Sequence, residues 1–170
     1  MPAAQTRKSA SKSTTKATQA PDAIKLLKDD HREVEEWFEE FESTSSASKK
    51  QKLANQICLA LTVHAQIEEE IFYPACREAG VEDDMMDEAD IEHDGAKKLI
   101  AEIEASAPGD DHYDARVKVL SEMIKHHVKE EEQRGGMFAK AKEADLDLKE
   151  LGMELLQRKT ELMKQMKARQ

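Results

Sequence analysis

Aromatic residues make up only 4% of this 170-residue chain, and its β-branched residues are little clustered, so nothing supports a large sheet. No apolar run approaches the ~20 residues a membrane-crossing helix needs, and no membrane partner is expected. Two cysteines, Cys58 and Cys76, are too few for a disulfide scaffold; both are expected to be reduced, in a cytoplasmic setting. Basic excess is also missing. Lys and Arg number 26 against 36 Asp and Glu, a net charge of −10, which argues against nucleic acid as a partner.

What is present in quantity is charge, 36% of all residues, over a length that suits one domain with a full core. Residues 1–21 contain Arg7, Lys8, Lys12 and Lys16 and no acid, a local charge of +4 that leaves −14 on the remainder. Thr6–Ala20 lacks large apolar residues and cannot bury enough surface to offset its own ordering, so residues 1–21 read as a disordered basic tail. The tail also lacks the apolar core of a secretory signal.

Beyond the tail, apolar residues recur at helical spacing. A first helix opens after Pro21 with Asp22 as N-cap and the row Ile24, Leu27, His31, Val34, Phe38, Phe41. A second, over 48–79, carries Leu53, Ile57, Leu61, His64, Glu68 and Ile71, with a kink or break expected near Tyr73 because of Pro74. A third, over 84–107, carries Met86, Ala89, His93, Ala96, Ile100 and Ile103. A fourth starts near Asp110 or Asp111 and carries Tyr113, Val117, Leu120, Ile124, His127, Glu131 and, further on, Phe138; Gly135-Gly136 should loosen it. Asp145 or Asp147 caps a fifth helix with a leucine stripe at 148, 151, 155 and 162, which either packs on the bundle or mediates association, including a homodimer. The short connections predict an all-α protein: an up-down-up-down antiparallel four-helix bundle over 22–143 and an additional C-terminal helix over 144–170.

Each row contains polar residues where hydrophobes belong: His31, His64 with Glu68, His93, and His127 with Glu131. Residue counts to each connecting loop, at a rise of ~1.5 Å per residue, put all six in one layer within about one turn. A buried ionised carboxylate costs several kcal/mol unless a cation pairs with it. Four imidazoles and two carboxylates suit a first-row transition metal and exceed what one tetrahedral zinc uses. Two ions fit better: His31 and His64 on one, His93 and His127 on the other, with Glu68 and Glu131 bridging. The neighbouring glutamates of the runs 68–70 and 130–132 read as solvated faces. His126 and His112 read as surface residues, His126 being the substitute ligand if the register shifts by one. Tyr73 and Tyr113 read first as core packing, with a hydrogen bond behind the ligands or a radical as the alternative, and Cys58 reads as core packing.

The pattern His31, His64-x-x-x-Glu68, His93, His127-x-x-x-Glu131 resembles the hemerythrin-like HHE cation-binding family. The surrounding strings Leu26-Leu27-Lys28-Asp29-Asp30-His31, Glu68-Glu69-Glu70-Ile71-Phe72-Tyr73-Pro74 and His126-His127-Val128-Lys129-Glu130-Glu131-Glu132 are similar too, over about residues 22–140. The resemblance implies a non-haem centre of two iron ions joined by an oxo or hydroxo bridge, with manganese or a mixed pair as the alternative. Two departures stand out. Oxygen-carrying members have a histidine where this chain has Lys97, and an aspartate five residues after the fourth-helix histidine where this chain has Glu131 four after His127. The missing histidine implies an open coordination position. The expected ligand is therefore dioxygen, hydrogen peroxide or nitric oxide. Catalase-like or oxidase-type chemistry is the first reading; binding or sensing of oxygen, nitric oxide or iron without turnover is the alternative.

Overall fold

A computed structural model describes residues 19–169, and the basic tail read from the sequence lies outside them apart from residues 19–21. The described residues form helices and connecting turns, with no strand. The helices are α1 (Ala23–Ser43), α2 (Ala47–Ile67), α3 (Tyr73–Glu78), α4 (Asp83–Glu104), α5 (Tyr113–Glu132), α6 (Met137–Glu143) and α7 (Leu148–Lys167). A single π-helical turn, Glu68–Phe72, joins α2 to α3.

Local chemistry sets the helix starts. The Asp22 carboxylate accepts from the Lys25 amide at 2.9 Å, Ser46 Oγ from Lys49 at 3.3 Å, and Asp147 Oδ1 from Glu150 at 3.0 Å. Each satisfies a donor that the helix leaves unpaired. α4 has no side-chain cap, but Asp83 and Asp84 place negative charge in its first turn. α5 begins later than the Asp110–Asp111 turn suggests, because His112 adopts φ +66° and the helix can start only after it.

The direction of each helix follows from where its hydrophobes go. The core is two clusters. One gathers Leu27, Ile67, Phe72, Met86, Phe138 and Leu155, among others; the other gathers Phe38, Ile57, Leu61, Ile100, Tyr113 and Leu120. Along α1 the chain passes from the first cluster through His31 to the second, and along α2 it returns through His64. It crosses again at His93 in α4 and back at His127 in α5. Four alternating crossings make the up-down-up-down antiparallel bundle, and the histidine layer is the boundary between the two cores. α7 lies across α1 and α2 on the outside and inserts Leu151, Leu155 and Leu162 into the first cluster.

Two stretches differ from the periodicity. The segment 48–79 is not one α-helix. Pro74 has no amide hydrogen and its ring crowds the preceding turn, and the chain relieves this with the π turn, in which the Tyr73 amide donates to the Glu68 carbonyl. The Gly135-Gly136 pair does more than loosen the fourth helix. Gly135 takes φ +75°, α5 stops at Glu132, and the separate helix α6 brings Phe138 over the His31 ring, stacked at 5.8 Å.

α7 meets α1 at a backbone contact. A Cβ on Gly152 would lie 2.7 Å from the Asp22 carbonyl carbon and 2.8 Å from the Ala23 nitrogen. Gly152→Ala therefore forces the two backbones apart, and the expected cost is about 1–3 kcal/mol. A thermal melt reads it as a Tm lowered by several degrees.

Candidate metal centre

α1, α2, α4 and α5 each project a histidine into the layer, and Glu68 and Glu131 follow one turn after His64 and His127. All six are buried, with Glu68 0% and Glu131 1% exposed. His31 Nε2 and His64 Nε2 face each other at 3.1 Å, and His93 Nε2 and His127 Nε2 at 3.2 Å. The two glutamates stand between these pairs, each with one oxygen toward either pair. Glu68 Oε1 is 3.1 Å from His64 and Oε2 3.2 Å from His93; Glu131 Oε2 is 3.2 Å from His31 and Oε1 3.3 Å from His127. Glu68 Oε1 and Glu131 Oε2 make no hydrogen bond despite full burial, because the nearby imidazole nitrogens are close but badly aligned for one. Two buried carboxylate oxygens left unpaired beside converging imidazole nitrogens are the arrangement a cation would satisfy. Two overlapping groups result: His31, His64, Glu68 and Glu131, and Glu68, His93 and His127. All six residues read from the sequence are brought together, His31 beside His64 and His93 beside His127.

The π turn contributes a further member. Its i→i+5 step sets Tyr73 over Glu68, and the Tyr73 hydroxyl donates to Glu131 Oε1 at 2.9 Å and is 3.1 Å from Glu68 Oε2. The hydroxyl also lies 3.4 Å from His93 Nε2. Tyr73 is therefore part of the site and not core packing alone; Tyr113, by contrast, sits in the far cluster. Burial, then the two carboxylates, push the Tyr73 phenol well above its ordinary range, so it is a hydrogen donor.

Behind the six lies a ring that the sequence reading missed. Asp30 of α1 accepts from His64 Nδ1 of α2 at 3.1 Å. Glu69, after α2, accepts from His93 Nδ1 of α4 at 2.9 Å. Glu92 of α4 accepts from His127 Nδ1 of α5 at 2.6 Å, and Glu132 of α5 is 3.6 Å from His31 Nδ1 of α1. Three of the four histidines are thus hydrogen-bonded from the neighbouring helix, while His31 has Glu132 beside it and its Nδ1 makes no hydrogen bond. In a neutral imidazole each such hydrogen bond places the proton on Nδ1 and turns the Nε2 lone pair inward. Glu69 and Glu132 are accordingly not merely solvated members of their acidic runs. The signal available was adjacency: every bracing carboxylate is one residue from a layer member.

The charges follow from this packing. Burial opposes the charged form of His64, but Glu68 and Asp30 outweigh it and raise the imidazole to about 10. Burial likewise opposes, and Glu131 with other carboxylates overcomes, in raising His127 well above its ordinary value. Glu68 is lowered far below the carboxylate range against its own burial, chiefly by His64. Burial pushes both free thiols, Cys58 and Cys76, up to about 12, which leaves them un-ionised.

On the side toward the second core, a cavity of about 30 Å³ opens over the four imidazoles. Its other walls include Val34, Leu61, Ile100 and Ile124. It has room for one or two water-sized molecules and none for an organic substrate. Lys97 borders it, but its ammonium is bound to Glu69 at 2.7 and 2.8 Å.

An antiparallel four-helix bundle with a buried histidine–carboxylate layer defines the hemerythrin-like class of helical metal-binding fold. The family model "Hemerythrin HHE cation binding domain" matches residues 22–139, and the chain belongs to that family. A solved hemerythrin HHE cation binding domain-containing protein from Mycobacterium kansasii shares the fold, with a TM-score of 0.71 over 85% of this chain and 89% of that one at 20% identity. A curated relative, a DNA nickase of Nostoc sp., is 33% identical over 107 residues. That match takes in 63% of this chain, which spans only 30% of the nickase's length. Among the described residues no helix is long and apolar enough to cross a membrane.

Two outcomes follow for the protein without metal. Tyr73→Phe removes the donor shared by two buried carboxylate oxygens and should cost about 1–3 kcal/mol in denaturant unfolding. His64, raised when folded, stabilises fully below the free imidazole value near 6.5 and loses that contribution as pH rises through about 10. Glu68 and Glu131, lowered when folded, stabilise above the ordinary carboxylate range and lose that contribution as pH falls. Thermal melts of chelated protein should therefore give a higher Tm at about pH 6 than at about pH 9, where the His64 contribution is fading.

Proposed function

We propose that the layer holds two transition-metal ions, iron first among them, and that the centre acts on a small oxygen species, hydrogen peroxide or dioxygen. His31 and His64 hold one ion, His93 and His127 the other, and Glu68 and Glu131 bridge them. The observation that carries this reading is the splitting of both glutamates, each offering one oxygen to either imidazole pair, with an oxygen of each lacking any hydrogen bond. Imidazole and carboxylate donors suit iron and manganese, and the family's cation binding supports the assignment.

When bound, the pair of ions supplies Lewis acidity and electrons. The chain supplies the rest. The bracing carboxylates orient the imidazoles, Tyr73 holds a proton on the oxygens of Glu68 and Glu131, and the apolar cavity admits a small neutral molecule while excluding bulk water. The cavity's size is the ground for a peroxide- or dioxygen-sized ligand. Lys97, at the position of the carriers' extra histidine, is committed to Glu69, which favours turnover over reversible carriage. Binding of oxygen or nitric oxide without turnover is the alternative. The nicking activity named for the Nostoc relative is not carried over, since the match covers a minor part of that protein and the net charge of −10 here repels a phosphate backbone.

Iron-loaded, desalted protein should retain two irons per chain and evolve oxygen from peroxide; Glu68→Gln should abolish both. Two retained irons with tight gas binding and no oxygen evolution would favour the alternative, and no retained metal would refute the proposal.

A further inference from the structure

In two quadrants of the ring the carboxylate is itself held by a Lys or Arg from the helix whose histidine it faces. Lys97 of α4 binds Glu69, which braces His93 of α4. Arg32 of α1 binds Glu132, which faces His31 of α1. Glu92, which braces His127 of α5, has beside it the exposed His126 ring of α5 at 3.2 Å and, of the described residues, no Lys or Arg in contact with it. The His64 quadrant differs again. His64 is flanked by Val63 and Ala65, and α2 supplies no cation to Asp30. The cation comes instead from outside the four-helix core: Lys159 of α7 binds Asp30 Oδ1, while Asp30 Oδ2 accepts from His64.

We propose that Lys159 is a positioning residue for the His31–His64 half of the centre, and that α7 serves to deliver it. The inference rests on the metal reading above. Asp30 is 9% exposed, so its outer oxygen depends on a protein partner. With Lys159 in place, both oxygens are engaged and the carboxylate plane is fixed, which holds His64 with Nδ1–H outward and Nε2 toward the layer. Without Lys159 the carboxylate is free to turn, and the brace on His64 slackens while those on His93 and His127 stay in place. Burial opposes ionisation of Asp30, yet His64 and Lys159 hold it below the ordinary carboxylate range, in keeping with a two-sided grip.

α7 has a separate anchor that does not touch the ring. Arg158 bonds both oxygens of Glu70, at 2.7 and 3.1 Å. Docking of the helix and bracing of His64 can therefore be separated. The test is equilibrium titration of the full chain with cobalt(II), followed by calorimetry and by the visible absorption of the bound ion. The parent should take up two ions. Lys159→Met should weaken one of them by about 10- to 100-fold and alter its absorption, leaving the other unchanged. Lys159→Arg should restore the parent pattern. Arg158→Met, which loosens α7 without touching Asp30, should bind both ions as the parent does. Equal binding of both ions by Lys159→Met overturns the inference, as does an equal loss in Arg158→Met. Failure of the parent itself to bind cobalt would refute the metal reading and be told apart by that.

Discussion

Two carboxylates closed off from water govern this molecule. Glu68 and Glu131 are buried in a layer with four imidazoles and one phenol, and their negative charge must be answered within that layer. Everything around them supplies the answer. The imidazoles converge with Nε2 inward, Tyr73 donates between the carboxylates, and Asp30, Glu69 and Glu92 hold three of the imidazoles from behind. The layer also organises the fold, since it divides the hydrophobic core into two clusters that the chain must visit alternately. Alternation of that kind makes the bundle antiparallel. The polar layer therefore sets both the crossing point of the helices and the chemistry available there.

The parts of this legible in the sequence were those with a period. Polar residues on four apolar rows marked the six inward side chains, and loop positions placed them at one height, because helical rise is regular. The family resemblance and the helical bundle followed from the same residues and hold in the structure and the family match. Interhelical relations have no period and were not legible. Asp30, Glu69, Glu92 and Glu132 lie against histidines on other helices, so nothing in their own spacing distinguishes them from solvated acids. Tyr73 was legible only as an alternative to core packing: at helical spacing it lies off the Glu68 face, and the π turn before Pro74 brings it round. The break at Gly135-Gly136 likewise exceeded the expected bend, and it frees Phe138 to cover His31.

The two faces of the layer differ in kind. Toward the second core lies the small apolar cavity, which admits something neutral and compact. Toward the first core, Phe138 stacks over His31, a cavity of about 40 Å³ lined by Glu92, His127, Glu131 and Met137 is more polar, and α7 wraps the outside. The C-terminal helix is thus more than a cover for leucines, since its Lys159 ends in the same network of charges as the four bundle helices. The layer thus has two halves in different surroundings, the His31–His64 half alone being reached by a helix outside the four-helix core, although its six inward residues are nearly symmetric.

The most direct trial of this account is anomalous diffraction from crystals of iron-loaded protein. The account predicts two peaks within the layer, one against His31 and His64 and one against His93 and His127, with Glu68 and Glu131 touching both. A single peak, peaks outside the layer, or a layer with none in protein shown to be iron-replete would contradict it.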